Sequence, residues 1–228
     1  MNSAPDTEHR AALVHYSQAC VTSGLSNATA GNISLRQGDG MLITPSGIPP
    51  DRMTPDQIAH VAFDGHVTGS WKPSSEWALH AALYRNRPDA QAIVHAHPTY
   101  CVALSVLRQA MPPFHYMVAG FGGNEVPCAP YRTFGGVELA RAVADTMGQR
   151  YHACLMANHG MIALGATLEA AFVRTEKLEV LARQYQLART MGPVTLLTDA
   201  EMAEVHTAYR TYGYGSAAKT EGPADGGR

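Results

Sequence analysis

Lysine is scarce in this sequence. Among 228 residues with 17 basic side chains, only Lys72, Lys177 and Lys219 are lysines. Lys72 precedes Pro73, Lys177 falls in a segment predicted to form an amphipathic helix, and Lys219 lies in the final stretch of the chain. None of these places predicts the buried setting in which a lysine amine becomes a catalytic nucleophile. The scarcity therefore argues against enzymes that work through a lysine Schiff base.

Excess charge, long apolar runs and an N-terminal targeting pattern are also missing. The 17 basic and 19 acidic side chains nearly cancel, to a net charge of -2, which argues against nucleic-acid binding. No apolar run approaches the roughly 18 residues that indicate a membrane span. The first residues, with Asp6, Glu8 and Arg10, do not resemble a signal peptide. We therefore expect a cytoplasmic protein that binds neither nucleic acid nor membrane.

Cysteines are few and dispersed, and no two of them are close in sequence. They are Cys20, Cys101, Cys128 and Cys154. Their apolar neighbours predict reduced thiols inside the core. The chain also lacks an internal repeat and a linker rich in proline or serine. We therefore expect one domain over residues 1–212, followed by a flexible tail over 213–228.

Apolar periodicity predicts helices and strands that alternate along the chain. The predicted helices lie over residues 7–23, from 74 to before Pro88, over 99–109, 135–147 and 168–191, and from 198 or 199 onward. The predicted strands lie over residues 32–36, 41–44 and 61–63, from 67 onward, and over 92–96 and 153–157. Alternation of this kind favours an α/β fold with a parallel sheet.

Histidine is abundant, with 11 copies, and three of them stand out. His95 and His97 lie two residues apart at the end of the predicted strand 92–96, so both imidazoles can reach one cation. His159 follows another buried strand and precedes Gly160, where a glycine allows close approach of the backbone. Three neutral imidazoles, with positions left for a carboxylate, water or substrate, are typical of a catalytic zinc site. The alternative is three separate histidines with hydrogen-bond partners in a polar core.

A second polar pattern begins with Ser74, Ser75 and Glu76 at a predicted helix start. The free N–H groups and the dipole of a helix N-terminus, together with two hydroxyls, can bind a phosphate. An ordinary capping box is an equally good interpretation. Turns over residues 29–32 and 44–47 each contain a glycine and a hydroxyl, and they could converge on the same anion. Glu76, placed one residue inside the helix, could serve as a base or as a metal ligand.

Six short motifs follow one another along the chain. They are Gly31-Asn32-Ile33-Ser34, Ile43-Thr44-Pro45-Ser46-Gly47, Pro73-Ser74-Ser75-Glu76-Trp77, Val94-His95-Ala96-His97, His115-Tyr116-Met117 and Asn158-His159-Gly160. In this order they resemble the class II aldolase and adducin family, and the resemblance extends to Tyr212. It implies a three-layer α/β fold with a central, mainly antiparallel sheet flanked by helices. It also implies a homotetramer with its sites at subunit interfaces.

The resemblance further implies which residues act. The implied ligands of a zinc ion, or of Mn²⁺ or Co²⁺ in its place, are His95, His97 and His159. Glu76 would lie close to the metal as a ligand or as the catalytic base. The positions that match the family's site for the substrate phosphate are Gly31, Asn32, Ser46, Gly47, Ser74 and Ser75. Tyr116, expected from a neighbouring subunit, and Tyr212 match tyrosines implicated in proton transfer and in closing the site.

The activity implied by the resemblance is reversible cleavage of a ketose 1-phosphate to dihydroxyacetone phosphate and an aldehyde. Cleavage of the C–C bond leaves negative charge on an enediolate, which a Lewis-acid metal can stabilise where no lysine is available. The candidate substrates are L-fuculose 1-phosphate, 5-deoxyribulose 1-phosphate and 5-methylthioribulose 1-phosphate.

Three alternative functions use the same fold. A sugar-phosphate 4-epimerase is expected to carry an aspartate in place of Glu76. A methylthioribulose-1-phosphate dehydratase is expected to carry its glutamate downstream of the histidine pair, where Glu125 is the candidate. A non-catalytic adducin-like module is disfavoured because the chain has all three histidines and Glu76.

Overall fold

The computed structural model describes residues 4–211 and has one mixed sheet at its centre. Its strands in chain order are β1 (Asn32–Gln37), β2 (Gly40–Ile43), β3 (Ala59–Ala62), β4 (Val67–Thr68), β5 (Ala92–Ala96), β6 (Cys128–Ala129), β7 (Ala153–Met156) and β8 (Gly160–Gly165). They lie side by side in the order β4-β3-β2-β1-β5-β8-β7-β6. Every neighbouring pair is antiparallel except β6 and β7. The mainly antiparallel sheet implied by the resemblance is confirmed, and the parallel sheet favoured by alternation is wrong.

Helices cover both faces of this sheet and complete the three layers. They are α1 (Ala4–Thr22), α2 (Trp77–Asn86), α3 (Thr99–Ser105), α4 (Val137–Met147), α5 (Leu168–Met191) and α6 (Asp199–Thr211). Helices α1, α3 and α5 share an apolar core with one face of the sheet, and α2 and α4 share a second core with the other face. Strand β5 serves both cores because its side chains alternate: Val94 and Ala96 face the first core, and Ile93 faces the second.

Strand β8 explains why alternation predicted the wrong sheet. It follows β7 after a turn of only three residues, in which Asn158 adopts a left-handed φ of 54°. A connection this short joins antiparallel strands, whereas parallel strands need a longer crossover. Neither β8 nor the two-residue β6 is predicted from the sequence. Without them the pattern runs from β7 directly to α5, as it does in a parallel α/β protein.

The predicted helices match the observed ones within a few residues, with one exception. Helix α3 ends at Ser105 instead of at residue 109, before a turn in which Arg108 has a φ of 55°. The start of α6 has a reciprocal capping box, because Glu201 N donates to Thr198 Oγ1 at 3.2 Å and Thr198 N donates to Glu201 Oε2 at 2.7 Å. Within residues 4–211, none of the helices combines the length and apolar character needed to cross a membrane.

Candidate active site

The fold brings the three predicted histidines to one point. His95 ends β5, His97 follows it, and His159 lies in the turn between β7 and β8. One ring nitrogen from each lies within 4.8 Å of the others, and the Nε2 atoms of His95 and His97 are 2.9 Å apart. The turn approaches β5 so closely that a Cβ on Gly160 would lie 2.6 Å from the Ala96 carbonyl oxygen. A glycine is therefore required beside His159, as the sequence indicates.

Glu76 lies against this histidine cluster. Its Oε2 atom is 3.0 Å from His95 Nε2, and its Oε1 atom is 3.4 Å from His159 Nε2. The residue is only 6% exposed. Burial by itself raises the pKa of the Glu76 carboxyl, but the attraction of His95, assisted by His159 and by a hydrogen bond from Asn32, leaves that pKa below its usual range. Glu76 is therefore a buried, ionised carboxylate.

The cluster has the donor atoms that a divalent cation needs. His95 donates its Nδ1 proton to the Met161 carbonyl oxygen at 2.8 Å, which leaves Nε2 facing the cluster. Partial burial, with the neighbouring His95 as a second cause, lowers the pKa of His97 to about 3 and that of His159 to about 4, so both imidazoles are neutral near pH 7. Within the described chain, Glu76 Oε1 is buried without a hydrogen-bond partner. Acceptor atoms this close repel one another unless a proton or a cation lies among them, so the residues present fit a metal.

A cleft of about 520 Å³ opens beside the cluster. All six residues predicted to hold a phosphate line it: Gly31, Asn32, Ser46, Gly47, Ser74 and Ser75. Glu76, His97 and His159 line the same cleft. A Cβ on Gly31, whose φ is +83°, would lie 2.7 Å from the His95 carbonyl oxygen. The turn before β1 therefore packs directly onto the strand that carries the histidine pair.

The start of α2 differs from the prediction. Helix α2 begins at Trp77, and Glu76 occupies the N-cap position instead of lying one residue inside the helix. In the described residues no side chain makes a capping hydrogen bond there. Ser74 Oγ instead accepts a hydrogen bond from Glu76 N at 3.3 Å, in the turn before the helix. Serine capping of this helix is therefore wrong. The shift places the Glu76 carboxylate beside the histidines instead of on the helix surface.

Of the two predicted tyrosines, the structure describes Tyr116, which does not line the cleft of this chain. Tyr116 begins a short 3₁₀ helix, Tyr116–Phe121, is 52% exposed, and stacks on His115 with ring centroids 4.7 Å apart. Tyr116 is not among the described residues that line the cleft. Tyr212 lies outside the described residues. The roles of both tyrosines stay predictions.

Sequence reasoning missed one wall of the cleft. Tyr131, Arg132 and Phe134, in the segment after β6, line it. Phe134 is 69% exposed, and Arg132 Nη1 donates to the Tyr131 carbonyl oxygen at 2.7 Å. The available signal was two aromatic rings and a cation within four residues of loop. Because strand β6, which positions this loop, is not predicted from the sequence, these residues could not be assigned to the cleft.

Comparison with known proteins agrees with this geometry. The family model described as "Class II Aldolase and Adducin N-terminal domain" matches residues 11–186. The chain is 46% identical over 192 residues to an L-fuculose phosphate aldolase of Escherichia coli K12, covering 83% of this chain and 88% of the relative. It is 42% identical over 205 residues to a 5-methylthioribulose-1-phosphate/5-deoxyribulose-1-phosphate aldolase of Rhodospirillum rubrum, covering 90% of this chain and 92% of the relative. A solved structure of an L-fuculose 1-phosphate aldolase superposes with a TM-score of 0.86 at 37% identity, covering 92% of this chain and 98% of that one. The chain belongs to the class II aldolase and adducin family.

Proposed function

We propose that this chain is a metal-dependent aldolase that reversibly cleaves a ketose 1-phosphate to dihydroxyacetone phosphate and an aldehyde. The observation that carries the proposal is the contact of the ionised Glu76 with His95 and His159, next to His97, beside a cleft lined by glycines and serines. The relatives named above act on sugar phosphates of this kind. The reaction needs a place for negative charge at the scissile carbon and a place for a phosphate, and the cleft offers both.

We assign the metal to His95, His97 and His159, with Zn²⁺ preferred and Mn²⁺ or Co²⁺ as alternatives. When bound, such a cation polarises the substrate ketone and stabilises negative charge on the adjacent oxygens. His95 holds Nε2 toward the cluster because its Nδ1 donates to the Met161 carbonyl oxygen. His97 and His159 are half-buried and neutral, so each has an unprotonated ring nitrogen for a cation.

Glu76 is the proposed proton shuttle. Cleavage moves the electron pair of the C3–C4 bond onto the dihydroxyacetone phosphate half, and a proton must then be delivered to C3. Glu76 Oε1 is suited to this because, in the described chain, it carries no hydrogen bond, whereas Oε2 is held by Asn32 Nδ2 at 3.1 Å. In the synthetic direction the same oxygen removes the C3 proton. Tyr116 is proposed to exchange the proton on the aldehyde-derived oxygen, and Tyr212 to help close the site.

The substrate phosphate is proposed to bind the six cleft residues Gly31, Asn32, Ser46, Gly47, Ser74 and Ser75. Gly47 has a φ of 76° and meets nothing within 4 Å where a Cβ would stand, so its backbone is open to an anion. A non-reacting phosphate held there positions the scissile bond and contributes binding energy to orientation.

A substrate panel tests the proposed function. The protein, loaded with Zn²⁺, is offered L-fuculose, 5-deoxyribulose and 5-methylthioribulose 1-phosphates, and release of dihydroxyacetone phosphate is followed by its NADH-dependent reduction. We expect turnover on at least one of them, loss of that turnover after chelation, and recovery on adding Zn²⁺. Absence of release from every member, or full turnover after complete removal of metal, would contradict the proposal. Conversion to a 4-epimer without release would favour the epimerase.

The protein is further proposed to be a cytoplasmic homotetramer whose sites combine residues of two subunits. Subunit complementation tests whether the sites are shared in this way. In the chain described here Tyr116 is exposed and away from its own cleft. His95→Ala and Tyr116→Phe proteins should each be inactive or strongly impaired. After equal mixing and subunit exchange, about a quarter of the sites would combine an intact His95 with an intact Tyr116 from its neighbour, so about a quarter of wild-type activity should return. No recovery after verified exchange would place Tyr116 outside the partner's site.

A further inference from the structure

A buried row of side chains leads away from Glu76. His80 lies one helical turn after Glu76 on α2 and is 0% exposed. Its Nε2 atom is 2.6 Å from Asn32 Oδ1, and its Nδ1 atom is 2.6 Å from Ser34 Oγ. Ser34 Oγ is in turn 2.9 Å from the hydroxyl of Tyr84. Because Asn32 and Ser34 are alternate residues of β1, both point to the sheet face that α2 covers.

The chemistry of each atom determines the direction of every hydrogen bond in this row. Asn32 Nδ2 donates to Glu76 Oε2 at 3.1 Å, which places the amide oxygen of Asn32 toward His80 Nε2 at 2.6 Å. An amide oxygen only accepts, so His80 carries its proton on Nε2. Burial lowers the pKa of His80 to about 3, so the ring is neutral and Nδ1 accepts from Ser34. Ser34 then accepts from Tyr84, whose hydroxyl lies 2.9 Å from Ser34 Oγ and 3.5 Å from the Gln91 carbonyl oxygen. All donors therefore point toward the carboxylate.

We propose that His80 is a positioning residue, which holds the Asn32 amide in the one orientation that binds Glu76 Oε2 and leaves Oε1 for the proton of the substrate. If the Asn32 amide turned over, its oxygen would face the carboxylate and its nitrogen would leave it. Asn32 also lines the cleft beside the serines, so the same orientation sets the group that it presents to the phosphate. The catalytic effect inferred for His80 rests on the proposed function. The direction of the hydrogen bonds does not.

Two amide substitutions separate positioning from mere packing. In His80→Gln the amide nitrogen extends about as far as Nε2 and can still donate to Asn32. In His80→Asn it reaches only as far as Nδ1, toward Ser34. Both variants lose part of the row, so a purely structural role predicts similar losses. The positioning role predicts that kcat falls roughly 10- to 100-fold in His80→Asn, with KM changed much less, and that His80→Gln retains most of kcat.

The readouts extend beyond turnover. Metal content is measured in both variants, and exchange of the C3 proton of dihydroxyacetone phosphate with deuterated water reports the Glu76 step alone. We expect both variants to bind metal, and the exchange rate to follow kcat. Equal kcat and exchange in folded His80→Gln and His80→Asn proteins would overturn the inference. A wild-type protein that releases no dihydroxyacetone phosphate would instead defeat the proposed function.

A measurement on the wild-type protein keeps the inference falsifiable if a variant does not fold. In the metal-loaded protein labelled with ¹⁵N-histidine, the His80 ring should be the neutral tautomer protonated on Nε2. A proton on Nδ1 in its place would reverse the assigned direction and refute the role.

Discussion

Replacing His95 with alanine is expected to abolish metal binding and to lower turnover by roughly 10³-fold or more, since a lost Lewis acid removes several kcal/mol of transition-state stabilisation. His95 is 1% exposed, and its Nε2 atom lies within 3.0 Å of both Glu76 Oε2 and His97 Nε2. Elemental analysis of the purified variant, beside its kcat, measures both effects.

The same change should also cost stability. Alanine leaves the Met161 carbonyl oxygen without its hydrogen bond from Nδ1 and leaves the buried Glu76 carboxylate without its nearest partner. An unsatisfied buried polar group costs about 1–3 kcal/mol in the free energy of unfolding. The matched control is His66→Ala, since His66 is exposed on the β3–β4 turn, away from the cluster. That variant should keep its metal and its turnover. A His95→Ala protein with a full complement of metal and normal turnover would contradict the assignment.

Replacing Glu76 with glutamine should preserve the fold and lower kcat by roughly 10²- to 10⁴-fold, the range that general acid–base groups contribute. Glutamine has nearly the same shape, and its amide oxygen can still accept from Asn32 Nδ2, so packing around the N-cap of α2 changes little. What is lost is the negative charge and the ability of Oε1 to carry a proton. Loss of the charge also weakens attraction for a cation beside the histidines, so metal content is measured together with kcat.

Glu125 provides the matched control for this prediction. Its carboxylate accepts a hydrogen bond from the Tyr151 hydroxyl at 3.3 Å, and in the described chain it does not line the cleft. Glu125→Gln should leave aldol cleavage and proton exchange near the wild-type values. A strong loss in Glu125→Gln with little effect in Glu76→Gln would invert the assignment and favour the dehydratase, for which Glu125 is the candidate base. An unimpaired Glu76→Gln protein would refute the proton shuttle.

Local patterns in the sequence predicted the parts of the site that lie on one element. The two-residue spacing of His95 and His97 is a property of a single strand, and the glycine beside His159 signals a close backbone approach. The helix starting after Ser74 and Ser75 was predicted within three residues. The exact cap was not, because the choice of Glu76 as N-cap depends on its contacts with β1 and β5 and not on local propensity.

Sheet order and strand direction could not be read from local periodicity. The alternating pattern is the same for parallel and antiparallel strands, and the deciding element was the short turn before β8. That turn places His159 against β5, because β8 pairs with β5 in a register where His95 lies opposite Ile162. The cleft wall at 131–134 also depends on sheet position, because it follows a strand too short to predict.

The sequence by itself determined that this chain is an α/β protein of one family, with only three lysines and with a histidine set suited to a metal. Only the tertiary structure decided which residues Glu76 contacts. A carboxylate at a helix start is common, and Glu76 is distinguished only by its contacts with Asn32 of β1 and His95 of β5. In the same way, His80 is distinguished only by the contacts that it makes where α2 packs over β1. These contacts join residues that lie tens of positions apart in the sequence. They depend on how helices and strands pack against one another across the whole sheet, and no local sequence pattern encodes that packing.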